Sequence, residues 1–91
     1  FQNIKFFPAQ FLIIKNDKKY RLKFKESEIL KYFIKNAQKI VTKDELIENI
    51  WQNQEKPSDA TIRTYIKNLR IILGSESFEN IKGVGYKFNL V

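Results

Sequence analysis

Seven side chains between positions 61 and 70 carry the groups best suited to chemistry: Thr61, Arg63, Thr64, Tyr65, Lys67, Asn68 and Arg70. They offer hydroxyls, one amide and cations, with no carboxylate among them after Asp59. That chemistry is recognition by hydrogen bonds and ion pairs rather than bond-making. The 91 residues contain no Cys and no His, which removes thiolate nucleophiles, imidazole acid–base pairs and zinc or copper ligand sets. The 10 carboxylates are scattered and build no nucleophile–base constellation. Gly83-Val84-Gly85 is no phosphate loop, because no helix follows it. No enzyme activity, cofactor or small-molecule substrate is therefore expected. The excess of 17 Lys+Arg over 10 Asp+Glu gives a net charge of +7, which attracts nucleic acid first and an anionic membrane surface second. No apolar run approaches the roughly 20 residues of a membrane span, so the expectation is a soluble, cytoplasmic domain that makes no membrane contact.

At 100° per residue, Ile62, Ile66, Leu69 and Leu73 fall on one narrow stripe that packs on a core. Opposite lie Ala60, Thr64, Lys67, Asn68 and Ile71, with Thr61 and Tyr65 on one flank and Arg63 and Arg70 on the other. A helix in the DNA major groove needs such a face: cations hold phosphates, while Asn, Thr and Tyr read base edges or touch thymine methyls. Asn68 can pair its amide with one adenine, and Lys67 can reach a guanine edge or a phosphate. The competing reading is a solvated helix face. The surrounding elements decide against it.

Residues 11–14 form an apolar run, a polar turn follows at 16–19, and Tyr20, Leu22 and Phe24 alternate with Arg21, Lys23 and Lys25. That is a hairpin of half-buried strands, whose three basic residues read as a solvated face. Residues 4–7 can add an edge strand that Pro8 ends. Ile29, Leu30, Phe33 and Ile34 have helical spacing and predict a first helix over 26–36. Thr42-Lys43-Asp44-Glu45 is a capping-box pattern opening a second helix, with Leu46, Ile47, Ile50 and Trp51 as its buried face. Residues 52–58 are a polar connector. Ser58 or Asp59 caps a third helix running to Leu73, and Gly74 ends it. Residues 78–82 and 86–90 pair across Gly83-Val84-Gly85, where both glycines read as turn geometry and Tyr86 and Phe88 as packing. The class is α+β: one domain over 1–91, a winged helix-turn-helix with an N-terminal antiparallel sheet, three helices and a C-terminal β-hairpin wing. The first residue is Phe rather than Met, which suggests a fragment of a longer regulator.

Three stretches resemble the OmpR/PhoB-type winged-helix output domain of bacterial response regulators. Val41-Thr42-Lys43-Asp44-Glu45-Leu46-Ile47-Glu48-Asn49-Ile50-Trp51 resembles its second helix. Asp59-Ala60-Thr61-Ile62-Arg63-Thr64-Tyr65-Ile66-Lys67-Asn68-Leu69-Arg70 resembles its recognition helix. Ile81-Lys82-Gly83-Val84-Gly85-Tyr86-Lys87-Phe88 resembles its wing, the most specific of the three. The resemblance implies a four-stranded N-terminal sheet and sequence-specific binding of double-stranded DNA that regulates transcription in a two-component phosphorelay. It implies DNA contacts at Thr61, Thr64, Tyr65, Lys67, Asn68 and Arg70, a wing contact through Lys82 with Asn80 nearby, and a backbone contact from the Trp51 indole. It further implies a loop at 52–58 that can touch RNA polymerase, and a dimer on tandem sites in the full-length protein. Ala60 stands where the family usually has Arg, and Arg63, where a residue is often acidic, can return the lost charge. Asn68 replaces an Arg, which favours adenine over guanine. Lys23-Phe24 replaces the usual Thr-Pro before the first helix. Two alternatives remain: a winged-helix module that binds protein, and the output domain of a one-component, membrane-anchored regulator.

Overall fold

Two antiparallel sheets flank three helices, and local chemistry sets most of the boundaries. In this computed structural model, which describes residues 3–89, the first sheet holds β1 (Ile4–Phe7), β2 (Leu12–Lys15) and β3 (Lys18–Arg21) in that order. Asn16 and Asp17 both take positive φ, 50° and 68°. Consecutive left-handed residues make the two-residue turn that matches strand twist, and Lys15 pairs with Lys18 across it. A short turn of 3-10 helix, Pro8–Gln10, separates β1 from β2. The four-stranded sheet implied by the resemblance is not formed: among the described residues this sheet has three strands.

The first helix, α1 (Phe24–Lys35), starts ahead of the expected residue 26. Phe24, expected to continue a strand, is the first helical residue and is 56% exposed. The cause is Glu26, whose Oε1 accepts the backbone N–H of Lys23 at 2.8 Å. A carboxylate at the third helical position satisfies a donor that a helix start otherwise leaves open, so the helix begins without the Thr that Lys23 replaces.

A further strand, β4 (Ile40–Thr42), is not expected from the sequence, because three residues are too few to show a period. It runs antiparallel to β6 (Gly85–Phe88), and β6 pairs in turn with β5 (Phe78–Ile81). The wing is therefore two strands of a three-stranded sheet ordered β4-β6-β5, anchored to the body by a strand between the first two helices. Thr42 caps α2 (Lys43–Ile50) by accepting the Glu45 N–H at 3.0 Å. Glu45 does not reach back to complete the expected capping box. Its Oε2 accepts the Tyr32 hydroxyl instead, at 2.5 Å. That hydrogen bond, helped by burial and by the carboxylate's charge, pushes the Tyr32 phenol up to about 12.

Ser58 caps α3 (Asp59–Leu73), accepting the Thr61 N–H at 3.1 Å, and Gly74 at φ 112° terminates it. Ile62, Ile66 and Leu69 of α3 are fully buried with Ile29, Leu30 and Phe33 of α1 and Leu46 of α2. Phe78 bridges helices and wing, with its ring 5.1 Å from Phe33 and 4.9 Å from Phe88. Each such side chain contributes about 1.5–3 kcal/mol on burial, so α3 is fixed to the body by its apolar stripe.

The two wing glycines do different work. Gly83 has φ 77° and nothing within 4 Å of a would-be Cβ, as the turn reading expects. Gly85 has no such φ; a Cβ there would sit 2.0 Å from the Val41 carbonyl oxygen on β4. Its requirement is close strand approach, which corrects the turn reading. In urea unfolding, Gly83→Ala should cost about 1–2 kcal/mol, the usual price of a left-handed alanine. Gly85→Ala should cost more, at or above the roughly 4 kcal/mol that marks exceptional damage, because backbone must move. Equal losses would contradict this assignment.

Candidate nucleic-acid interface

The side chains of α3 divide into those left open and those engaged by the body. Ala60, Thr61, Arg63, Thr64, Lys67 and Ile71 are exposed. Arg63 and Lys67 make no hydrogen bond or ion pair among the described residues, so both charges are free for a ligand. Thr61 shares a hydrogen bond with the Ser58 hydroxyl, 3.0 Å apart, and the Thr64 hydroxyl donates to the Ala60 carbonyl at 3.0 Å. Between α3 and the wing runs an open groove lined by Ala60, Arg63, Thr64, Lys67 and Asn80, with Tyr86 and Arg70 at its floor. Asn80 thus stands beside the α3 cations, while Lys82 lies exposed in the turn at the wing tip.

Four of the sequence-selected residues are held differently. Asn68 is half-buried, and its Nδ2 donates to Glu26 Oε2 at 2.9 Å. One amide N–H is engaged by α1, while the second N–H and the amide oxygen have no partner among the described residues. Arg70 donates through Nε and Nη2 to the Phe78 carbonyl at 3.0 and 2.7 Å. That fork clamps the end of α3 to the first residue of β5 and engages two of the five guanidinium N–H donors, leaving Nη1 on the groove side without a protein partner among the described residues. Tyr65 is half-buried with its ring 6.1 Å from that of Trp51. Trp51 is 8% exposed, mainly an anchor at the end of α2. Its indole N–H nevertheless makes no hydrogen bond among the described residues and is not sealed from solvent.

Three positioning residues escaped the sequence reading. Lys25, grouped there with a solvated face, places its ammonium 5.0 Å from the Trp51 ring centre and donates to the Ile50 carbonyl at 2.9 Å. Lys15 donates to the Ile72 carbonyl at 3.0 Å, adding a cation where the helix dipole is negative. Glu26, 5% exposed, bonds both α1 and α3. An acid at the third helical position was its only sequence signal, hidden because Lys23 stands where a capping hydroxyl would complete the motif.

The family described as "Transcriptional regulatory protein, C terminal" matches residues 17–88. The chain belongs to this family. It is 42% identical over 72 residues to the transcriptional regulatory protein CrdR of Helicobacter pylori, covering 79% of this chain and 33% of CrdR. The chain thus spans about a third of the length of that curated relative. Among solved structures, the response regulator DrrB of Thermotoga maritima, an OmpR/PhoB homolog, is 30% identical at a TM-score of 0.79, covering 97% of this chain and 42% of that one. The DNA-binding domain of Escherichia coli CadC superposes at a TM-score of 0.86 over 98% of this chain and 88% of that one. At 20% identity that last likeness shows the shared fold. The winged-helix class and the OmpR/PhoB-type resemblance both stand.

As an output domain of this type, the chain keeps a cationic helix beside a hairpin, but mounts the helix with its own set of contacts. Arg70 and Arg63, alike by charge, differ in engagement: one holds the Phe78 carbonyl, the other makes no hydrogen bond or ion pair among the described residues. Arg70→Ala should lower the urea unfolding free energy by about 1–3 kcal/mol, the range for a buried acceptor left unpaired. Arg63→Ala should change it by no more than about 0.5 kcal/mol, as exposed substitutions do. A stability loss at Arg63, or none at Arg70, would reverse the division.

Proposed function

We propose that this domain binds double-stranded DNA in a sequence-specific manner and is the output module of a phosphorelay response regulator. The observation that carries the reading is the set of free donors along one groove: Arg63, Lys67 and Asn80, none engaged elsewhere among the described residues. Free cations at the borders of an exposed helix hold phosphates, and side chains between them reach base edges. The outer face of α3 occupies the major groove, with Lys67 at a guanine edge or a phosphate and Thr61 and Thr64 beside it. Lys82 at the wing tip meets the minor groove, where lysine is a weaker fit than arginine in a narrow A·T tract. Trp51 touches the backbone through its open indole N–H. Tyr65, Asn68 and Arg70 act by positioning. The fold shared with the CadC DNA-binding domain supports this reading.

In the full-length protein, the domain pairs with a second copy on tandem sites, and the exposed loop at 52–58 is the surface offered to RNA polymerase. Among the described residues, no helix is long and apolar enough to cross a membrane; the protein acts in the cytoplasm.

Selection of bound duplexes from a random pool at near-physiological salt tests the proposal. One motif should be enriched, and a second copy should follow it in tandem. On that motif, Lys67→Ala and Lys82→Ala should each lower the slope of log K against log salt by about one unit. Recovery of unenriched DNA would overturn the proposal and favour a module that binds protein.

A further inference from the structure

Ala60, Thr64, Lys67 and Ile71 lie at i, i+4, i+7 and i+11, a single stripe along the open face of α3. Successive members at four-residue spacing stand about 6 Å apart along the helix axis. Three of the four present methyl groups, and all are exposed. Thr64 has one hydroxyl proton, and it is given to the Ala60 carbonyl at 3.0 Å. Toward a ligand the residue can still accept a hydrogen bond, but it cannot donate one without breaking that contact. Ile71 is 71% exposed, the most of any large hydrophobic among the described residues, and packs on nothing in the core. Asn68, the one amide on the helix, is turned to Glu26. Lys67 is therefore the only donor on the stripe itself.

We propose that this stripe reads thymine by its 5-methyl group, through apolar contact with Ala60, Thr64 and Ile71, with Lys67 as the polar contact between them. The major-groove edge of thymine carries a methyl group that no other base presents, and Ala and Thr methyl groups are suited to it. Ala60, Thr64 and Lys67 of the stripe line the same open groove as Arg63 and Asn80, which stand on its wing side. Half-sites should accordingly be rich in thymine on the strand facing α3. The inference rests on the DNA-binding reading above and narrows it to a class of sequence.

The test replaces thymine by uracil in the duplex enriched from the random pool, which removes the methyl and keeps every hydrogen-bonding group. Each contacted thymine so replaced should weaken binding about fourfold, the worth of one buried methylene-sized group. Thr64→Ser keeps the hydroxyl and removes the methyl, so at one thymine the uracil penalty should vanish in this variant alone. Ile71→Ala should do the same at a different thymine. Equal binding of the uracil and thymine duplexes would overturn the inference. So would an equal uracil penalty in the wild type and both variants, which would trace the effect to duplex stiffness. Failure to enrich any duplex would instead overturn the DNA-binding reading itself.

Discussion

The Glu26 carboxylate is the constraint around which the reading helix is arranged. At 5% exposure it is nearly withdrawn from water, which is costly unless both oxygens find donors. One oxygen takes the Lys23 backbone N–H, and the other takes the Asn68 amide. The first bond decides where α1 begins. The second ties position 68 to α1 and so reinforces the roll of α3 about its own axis that burial of Ile62, Ile66 and Leu69 already sets. With that rotation set, positions 60, 64, 67 and 71 must face outward.

The remaining polar contacts extend the same frame to the wing. Arg70 grips the Phe78 carbonyl, so the end of α3 and the start of β5 move together. Lys15 from the first sheet caps the Ile72 carbonyl, and Lys25 of α1 packs on Trp51 and on the last carbonyl of α2. On the other side, β4 holds β6 at a spacing that only glycine permits at position 85. Helix and hairpin are thus delivered as one rigid surface. Binding then orders few groups that were free beforehand, which reduces the entropic cost of association.

What could be read from the sequence followed periodicity and caps. The α3 boundaries, its Ser58 cap and its Gly74 stop are all local, and the chain folds as they indicate. Features made by two distant segments were not legible. The three residues of β4 carry no period, and the need for glycine at 85 comes from a carbonyl 44 positions earlier in the chain, at Val41. Asn68 and Arg70 show the same limit on a wheel. The wheel gives an angle relative to the core stripe, but not which neighbour stands beside each flank. Asn68 lies on the flank that meets α1, and Arg70 on the flank that meets β5. Arg63 and Lys67 flank no such neighbour, and for them the outward reading agrees with their observed exposure.

The central claim, that Glu26 ties α3 to α1 through Asn68, is tested most directly by a double-mutant cycle in urea unfolding. Glu26→Ala, Asn68→Ala and the double variant are compared with the parent chain. The account predicts a coupling free energy of about 1.5–3 kcal/mol, as for a hydrogen bond to a charged group. Effects that add to within about 0.3–0.5 kcal/mol, as for independent sites, would contradict it.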